Sequence, residues 1–163
     1  MVMRTLAKIL LSLLLLWGIP ALAKDEPDEV DYLALAGLML RDGNIDRAMG
    51  ALDQVDTAAE DIDLVRYYTL RGMAHMRRNE LEPARDALRQ AIASGEADAV
   101  VHVYLAQVNY QLEDYAAAIE SLDNAGASVE RVPSVYHMKA QAYWLMDDAI
   151  MAIATLDQAS QVF

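Results

Sequence analysis

The sequence predicts an all-α fold, a solenoid of four stacked helix-turn-helix units, from three observations. The stretch HVYLAQVNYQLEDYAAAIESLDNA, His102 to Ala125, reads as two helices meeting at Glu113 and Asp114. Its second half sets Ala118, Leu122 and Ala125 four and three residues apart, on one helical face. The same alanine and leucine recur at Ala48/Leu52, Ala84/Leu88 and Ala152/Leu156, with offsets of 36, 34 and 34 between copies, and Val55, Ala91, Ala125 and Ala159 follow three residues on. No segment alternates as a strand would. A period near 34 with two helices per unit is the mark of a helical-repeat array, in which each unit buries its apolar face on its neighbour.

Taken in order, residues 1–23 form an address. Arg4 and Lys8 precede an apolar run from Ile9 to Ile19, and Pro20 leads into Ala21-Leu22-Ala23. That is a signal peptide with a small-x-small cleavage site, so the expected mature start is Lys24. The rival, an uncleaved anchor, needs a longer run, roughly 18 to 20 apolar residues. With no cysteine in the chain, a lipid-modified cysteine after the cleavage site is excluded, and stability in an oxidising compartment must come from packing. Losing Arg4 and Lys8 leaves 11 basic and 25 acidic residues, a net charge of −14. A surface of that sign repels nucleic acid and anionic lipid.

Residues 24–30 are a short acidic linker that lacks the turn glycine of a calcium loop. The array follows over residues 31–163, with repeats at about 31–62, 64–97, 98–132 and 133–163. Repeat one turns at Asp42-Gly43-Asn44, where Gly43 can take a positive φ. Residues Asp56 to Asp63 run two longer than their counterparts, which accounts for the offset of 36. Repeat two turns at Arg77-Arg78-Asn79, tolerates Pro83 in the first turn of its second helix, and stops at Ser94-Gly95. Repeat four starts at Pro133 and carries Tyr136, Tyr143 and Trp144. Its last helix, Asp148 to about Gln161, bears Ile150, Ile153 and Leu156, and no polar capping helix follows. Terminal units of a solenoid need a polar outer side. Either the chain is the front of a longer array, truncated at its C-terminus, which is the favoured reading, or its end docks on another copy or a partner.

With these features the chain resembles the tetratricopeptide repeat (TPR) family over residues 30 to 161. The small residue of the family's first helix stands as Ala36, Gly72, Ala106 and Ala140, and that of the second as Ala48, Ala84, Ala118 and Ala152. Small side chains at a crossing let helix axes approach. The early aromatic is Tyr32, Tyr68 and Tyr136, with His102 in the third copy; the later tyrosine is Tyr143, with Met39, His75 and Asn109 elsewhere.

Chemistry is not legible. No nucleophile-base pair, Gly-rich phosphate loop or metal motif is present, so the chain is expected to be no enzyme and to need no cofactor. His75 and His102 stand at family packing positions and His137 is expected to be half exposed. Glu113-Asp114 and Asp147-Asp148 fall between helices and read as helix-start charges and caps.

What remains is a binding surface. The resemblance implies that first helices line a concave groove, here at Leu33, Leu40 and Arg41; Arg66, Thr69, Met73, Met76 and Arg77; Val103, Gln107, Tyr110 and Gln111; and His137, Gln141, Trp144 and Leu145. Of these, Arg41, Arg66, Met73, Met76, Arg77, Gln107, Tyr110, Gln141 and Trp144 are the expected partner-binding set. Methionine and aromatic side chains offer adaptable apolar contact and arginine supplies charged hydrogen bonds, which suits a protein or peptide with apolar anchors and some negative charge. Trp144 and Tyr143 cannot share a face, so one of them is expected on the groove or exposed. Gly37 stands where the family's groove asparagine would be, against a receptor for C-terminal carboxylates.

The reading is therefore an exported, periplasmic scaffold with a protein or peptide partner and no nucleic acid, and with no direct membrane binding once the leader is cleaved. The leader and the run YHMKAQAYWLMDDAIMAIATLDQASQVF look like the TPR component that accompanies some TonB-type transport systems. The alternatives are a structural protein that self-associates through its last helix, or an auxiliary domain of a longer protein.

Overall fold

A computed structural model describes residues 30–163, so the leader and nearly all of the acidic linker lie outside the described residues. The described chain is all helix, with no strand. Four helix pairs follow one another: α1 (Tyr32–Arg41) with α2 (Ile45–Leu52), α3 (Leu64–Arg77) with α4 (Leu81–Ser94), α5 (Ala99–Gln111) with α6 (Tyr115–Asn124), and α7 (Pro133–Leu145) with α8 (Ala149–Val162). A single turn of 3-10 helix, Gly126–Val129, links the third pair to the fourth. Together they form a TPR-like solenoid of four repeats. Each helix packs chiefly on the one before it and the one after, as expected of a quasi-one-dimensional array.

Helix starts follow the acidic side chains. Asp31, Asp63, Asp114 and Asp148 each accept a hydrogen bond from the backbone N–H three residues on, at 2.8, 2.8, 3.2 and 3.0 Å. Each satisfies an amide that the first turn leaves without a helical partner. Helix α7 instead begins with Pro133 in its first turn. The acidic pairs between helices thus divide their work: Asp114 and Asp148 cap, while Glu113 and Asp147 do something else.

That other role is shared by all four intra-repeat turns. Gly43, Asn79, Glu113 and Asp147 occupy one register position and adopt φ of 79°, 58°, 63° and 61°. The next amide in each turn, of Asn44, Glu80, Asp114 and Asp148, donates to the carbonyl five residues back, on Met39, His75, Asn109 and Tyr143, at 2.8 to 3.0 Å. This is a left-handed C-cap, a conformation glycine adopts freely, asparagine and aspartate tolerate, and glutamate has no reason to favour. Glu113→Gly is accordingly expected to stabilise the fold by about 1 kcal/mol, a gain that would appear as a raised midpoint in urea unfolding. Gly95, by contrast, follows α4 with φ of 167°, which is extended backbone, so the stop there is not a left-handed glycine.

The small-residue crossings lie at the centre of each pair. Ala36, Ala48, Ala84, Ala106 and Ala118 are fully buried, and Ala140 and Ala152 nearly so. Gly72 is the tightest of the set, because a Cβ built there would stand 2.7 Å from Leu88 Cγ. Around these crossings the leucines join one repeat to the next. Leu52 clusters with Tyr67 and Ala74, Leu88 with Val101, Leu105 and Val108, and Leu122 with Ala106 and Val135. Leu156, at the same register, is 51% exposed, against 0%, 0% and 3% for the other three.

Candidate functional site

The first helices α1, α3, α5 and α7 bring equivalent residues into rows. One row holds Leu40, Met76, Tyr110 and Trp144; the next holds Arg41, Arg77, Gln111 and Leu145; a third holds Gly37, Met73, Gln107 and Gln141. Exposure changes along the first row. Leu40 is buried in the core of the first repeat, Met76 is half-buried against the Leu88 cluster, Tyr110 is half-buried, and Trp144 is 65% exposed. Leu33 is buried as well, so both leucines assigned to the groove at the N-terminal end are core residues instead. Met73 packs partly against the first-repeat core, and Arg41, Arg66, Arg77, Gln107 and Gln141 are exposed.

Three of the expected partner-binding residues meet in one place. A groove of about 430 Å³ is lined by Tyr110 of α5, by His137, Gln141, Trp144 and Leu145 of α7, and by Ile153 and Leu156 of α8. Its walls are mostly apolar, with His137 and Gln141 among the polar residues that line it. Tyr110 is held by an edge-to-face contact with Tyr115, ring centroids 5.4 Å apart and planes at 63°. Desolvation, and after it the neighbouring Glu113, holds the Tyr115 phenol above its ordinary value. The arginines Arg41, Arg66 and Arg77 do not line this groove. Sequence reasoning missed Ile153 and Leu156 as groove residues, since their register reads as core.

Two further hollows are lined by equivalent residues in successive repeats. One, of about 320 Å³, lies among Tyr68, His75, Pro83, Asp86, Ala87 and Gln90; the other, also about 320 Å³, lies among His102, Asn109, Ala117, Glu120, Ser121 and Asn124. Their recurrence marks them as architecture, the furrow left where a shorter side chain stands at the family's later tyrosine. Asn109 is 1% exposed and its Nδ2 donates to Ser121 Oγ at 3.2 Å, while its Oδ1 meets no protein donor. His75 Nδ1 lies 2.6 Å from Glu80 Oε2, which pins the ring to the following turn. Among the described residues no three histidine, aspartate or glutamate side chains converge as metal ligands, and no helix is long and apolar enough to cross a membrane.

Comparison with known proteins agrees with this architecture. A tetratricopeptide repeat family model matches residues 133–162, the repeat that carries the groove. No curated protein matches the chain significantly. Among solved structures, a crystal structure of MamA protein superposes with a TM-score of 0.71 at 21% identity, covering 80% of this chain and 70% of that one. A second MamA crystal structure gives 0.68 at 20%, covering 78% and 74%. At such identities the likeness defines the fold alone.

Proposed function

We propose that the chain is a non-enzymatic scaffold that binds a protein or peptide in the bacterial periplasm, exported by its first 23 residues. In this reading it serves a TonB-type transport system as an accessory, organising inner-membrane and periplasmic proteins during uptake. The observation that carries the binding role is the groove at Trp144, where a large aromatic stands exposed beside Tyr110, Gln141 and Leu156. Exposed aromatics beside apolar walls are what partner anchors use, because they offer large contact area at small entropic cost. Export rests on the basic, apolar and small-residue order of residues 1–23.

The test is in-cell crosslinking from a photoreactive residue at position 144, with mass identification of the product. Capture of an envelope protein, lost on Gln141→Ala or Tyr110→Ala with the fold retained, is the expected result. Silence at position 144 in cells that make the protein would end the scaffold reading. N-terminal sequencing of the periplasmic form is expected to begin at Lys24.

A further inference from the structure

The two furrows of about 320 Å³ occupy equivalent registers of repeats two and three, but their polar groups are used differently. In the second repeat the base and the imidazole are taken up inside the protein. Arg71 donates to the Tyr67 hydroxyl at 2.8 Å and lies 3.5 Å from Asp53, while His75 is held by Glu80. In the third repeat Arg89 of α4 and Glu120 of α6 both line the furrow, and neither has an ion pair among the described residues.

The register of Arg89 explains its free charge. The residue after the junction leucine is an acid at the first and third junctions, Asp53 and Asp123, and each is paired with a base on the next helix, Arg71 and Lys139. At the second junction Arg89 takes the place of the acid and Leu105 that of the base. The guanidinium therefore stands where the repeat supplies it no carboxylate.

Asn109 lines the same furrow, is 1% exposed, and leaves its Oδ1 without a donor. Turning the amide over does not help. The one hydrogen of the Ser121 hydroxyl goes to the Ala117 carbonyl at 2.7 Å, so Asn109 can meet Ser121 only through Nδ2. A buried carbonyl oxygen without a donor costs stability, and native interiors keep few of them.

We propose that this furrow binds a small apolar α-amino acid in its zwitterionic form. Arg89 takes the carboxylate by charge-assisted hydrogen bonds, and the ammonium donates to Asn109 Oδ1 and to the Glu120 carboxylate. Ile92, Leu105 and Ala117 supply an apolar wall for a short aliphatic side chain. The volume suits so small a ligand, standing at the lower end of the roughly 300 to 1,000 Å³ usual for small-molecule sites. A zwitterion answers all three groups at once, which a lone anion or a lone amine cannot. The site lies wholly among α4, α5 and α6 and is independent of what Trp144 meets.

The experiment is isothermal titration calorimetry of the purified chain with L-valine, which is expected to bind saturably. Isovalerate lacks the ammonium, isobutylamine lacks the carboxylate, and the N-trimethyl form of valine keeps both charges but has no N–H donor. Each is expected to bind at least about tenfold more weakly. Arg89→Ala and Glu120→Gln, both at exposed side chains, are expected to weaken L-valine at least about fivefold with the helical melt unchanged. Asn109→Leu is expected to abolish binding and yet raise the melting temperature of the free protein, because it removes the unpartnered oxygen. An asparagine with only a structural role would not separate those two readouts. No saturable binding of L-valine, L-alanine or L-leucine up to about 10 mM overturns the proposal. So does binding that the N-trimethyl form matches, or that Arg89→Ala or a folded Asn109→Leu leaves unchanged. If Asn109→Leu does not fold, the two exposed variants and the N-trimethyl form decide alone.

Discussion

Replacing Leu88 by alanine is expected to destabilise the protein by about 3 kcal/mol, whereas the same change at Leu156 is expected to cost less than about 1 kcal/mol. The two leucines share one register, one neighbouring alanine and one helix type. Leu88 has no exposed surface and sits among Ala84, Ala91, Val101 and Val108, so its truncation removes buried methyl groups and leaves a cavity in a close-packed junction. Leu156 is already half in water, so little burial is lost. In a domain of this size the difference corresponds to roughly 10 °C in Tm, readable by circular dichroism. Because stability in a repeat array is carried by neighbour-to-neighbour interfaces, Leu88→Ala is also expected to uncouple the two halves, with faster amide exchange in α1 to α4 than in α5 to α7. Equal losses at the two leucines would refute the burial argument.

The second large effect is at Gly72. An alanine there places its Cβ 2.7 Å from Leu88 Cγ and 2.8 Å from Leu88 Cδ2, and Leu88 is itself fully buried, with no free space to enter. Overpacking of this kind outweighs the helical preference for alanine, so Gly72→Ala is expected to lose about 1 kcal/mol and Gly72→Val about 3 kcal/mol. Gly37 is the internal control. It too lies within a first helix, but a Cβ there would find only Leu70 Cδ2, at 3.8 Å, an ordinary contact. Gly37→Ala is therefore expected to stabilise by about 0.5 to 1 kcal/mol. Opposite signs for one chemical change, measured by denaturant midpoints, would establish that close approach and not glycine flexibility sets the need at position 72.

Much of the architecture was legible before any coordinates. The offsets of 36, 34 and 34 place the four pairs, because a repeat must return its small residue to the crossing at every period. Asp114 and Asp148 at helix starts, Pro133 in the first turn of α7, and Gly43 in the first turn between helices follow from local backbone chemistry alone. Trp144 beside Tyr143 announces that one ring leaves the core, and the structure shows Trp144 65% exposed and Tyr143 half-buried.

The site was less legible, and the misplaced residues show why. Leu33 and Leu40 match groove positions of the repeat and yet lie in the core. Ile153 and Leu156 match core positions and yet line the groove. Periodicity assigns a residue to a face of its helix, but whether that face is covered depends on which helix stands opposite. Glu113 is a similar case. Its sequence position suggests a cap, and only the turn geometry reveals that it occupies the left-handed register while Asp114 caps.

What the sequence by itself determined, then, is the unit: its period, its two helices, their small-residue crossing and their capped starts, all set by interactions within about 34 residues. What only the tertiary structure decided is the fate of equivalent residues in successive units. Leu52, Leu88, Leu122 and Leu156 carry the same pattern, and the first three are core because a following helix removes them from water, while among the described residues no helix stands opposite the fourth; burial belongs to a pair of surfaces and not to a residue.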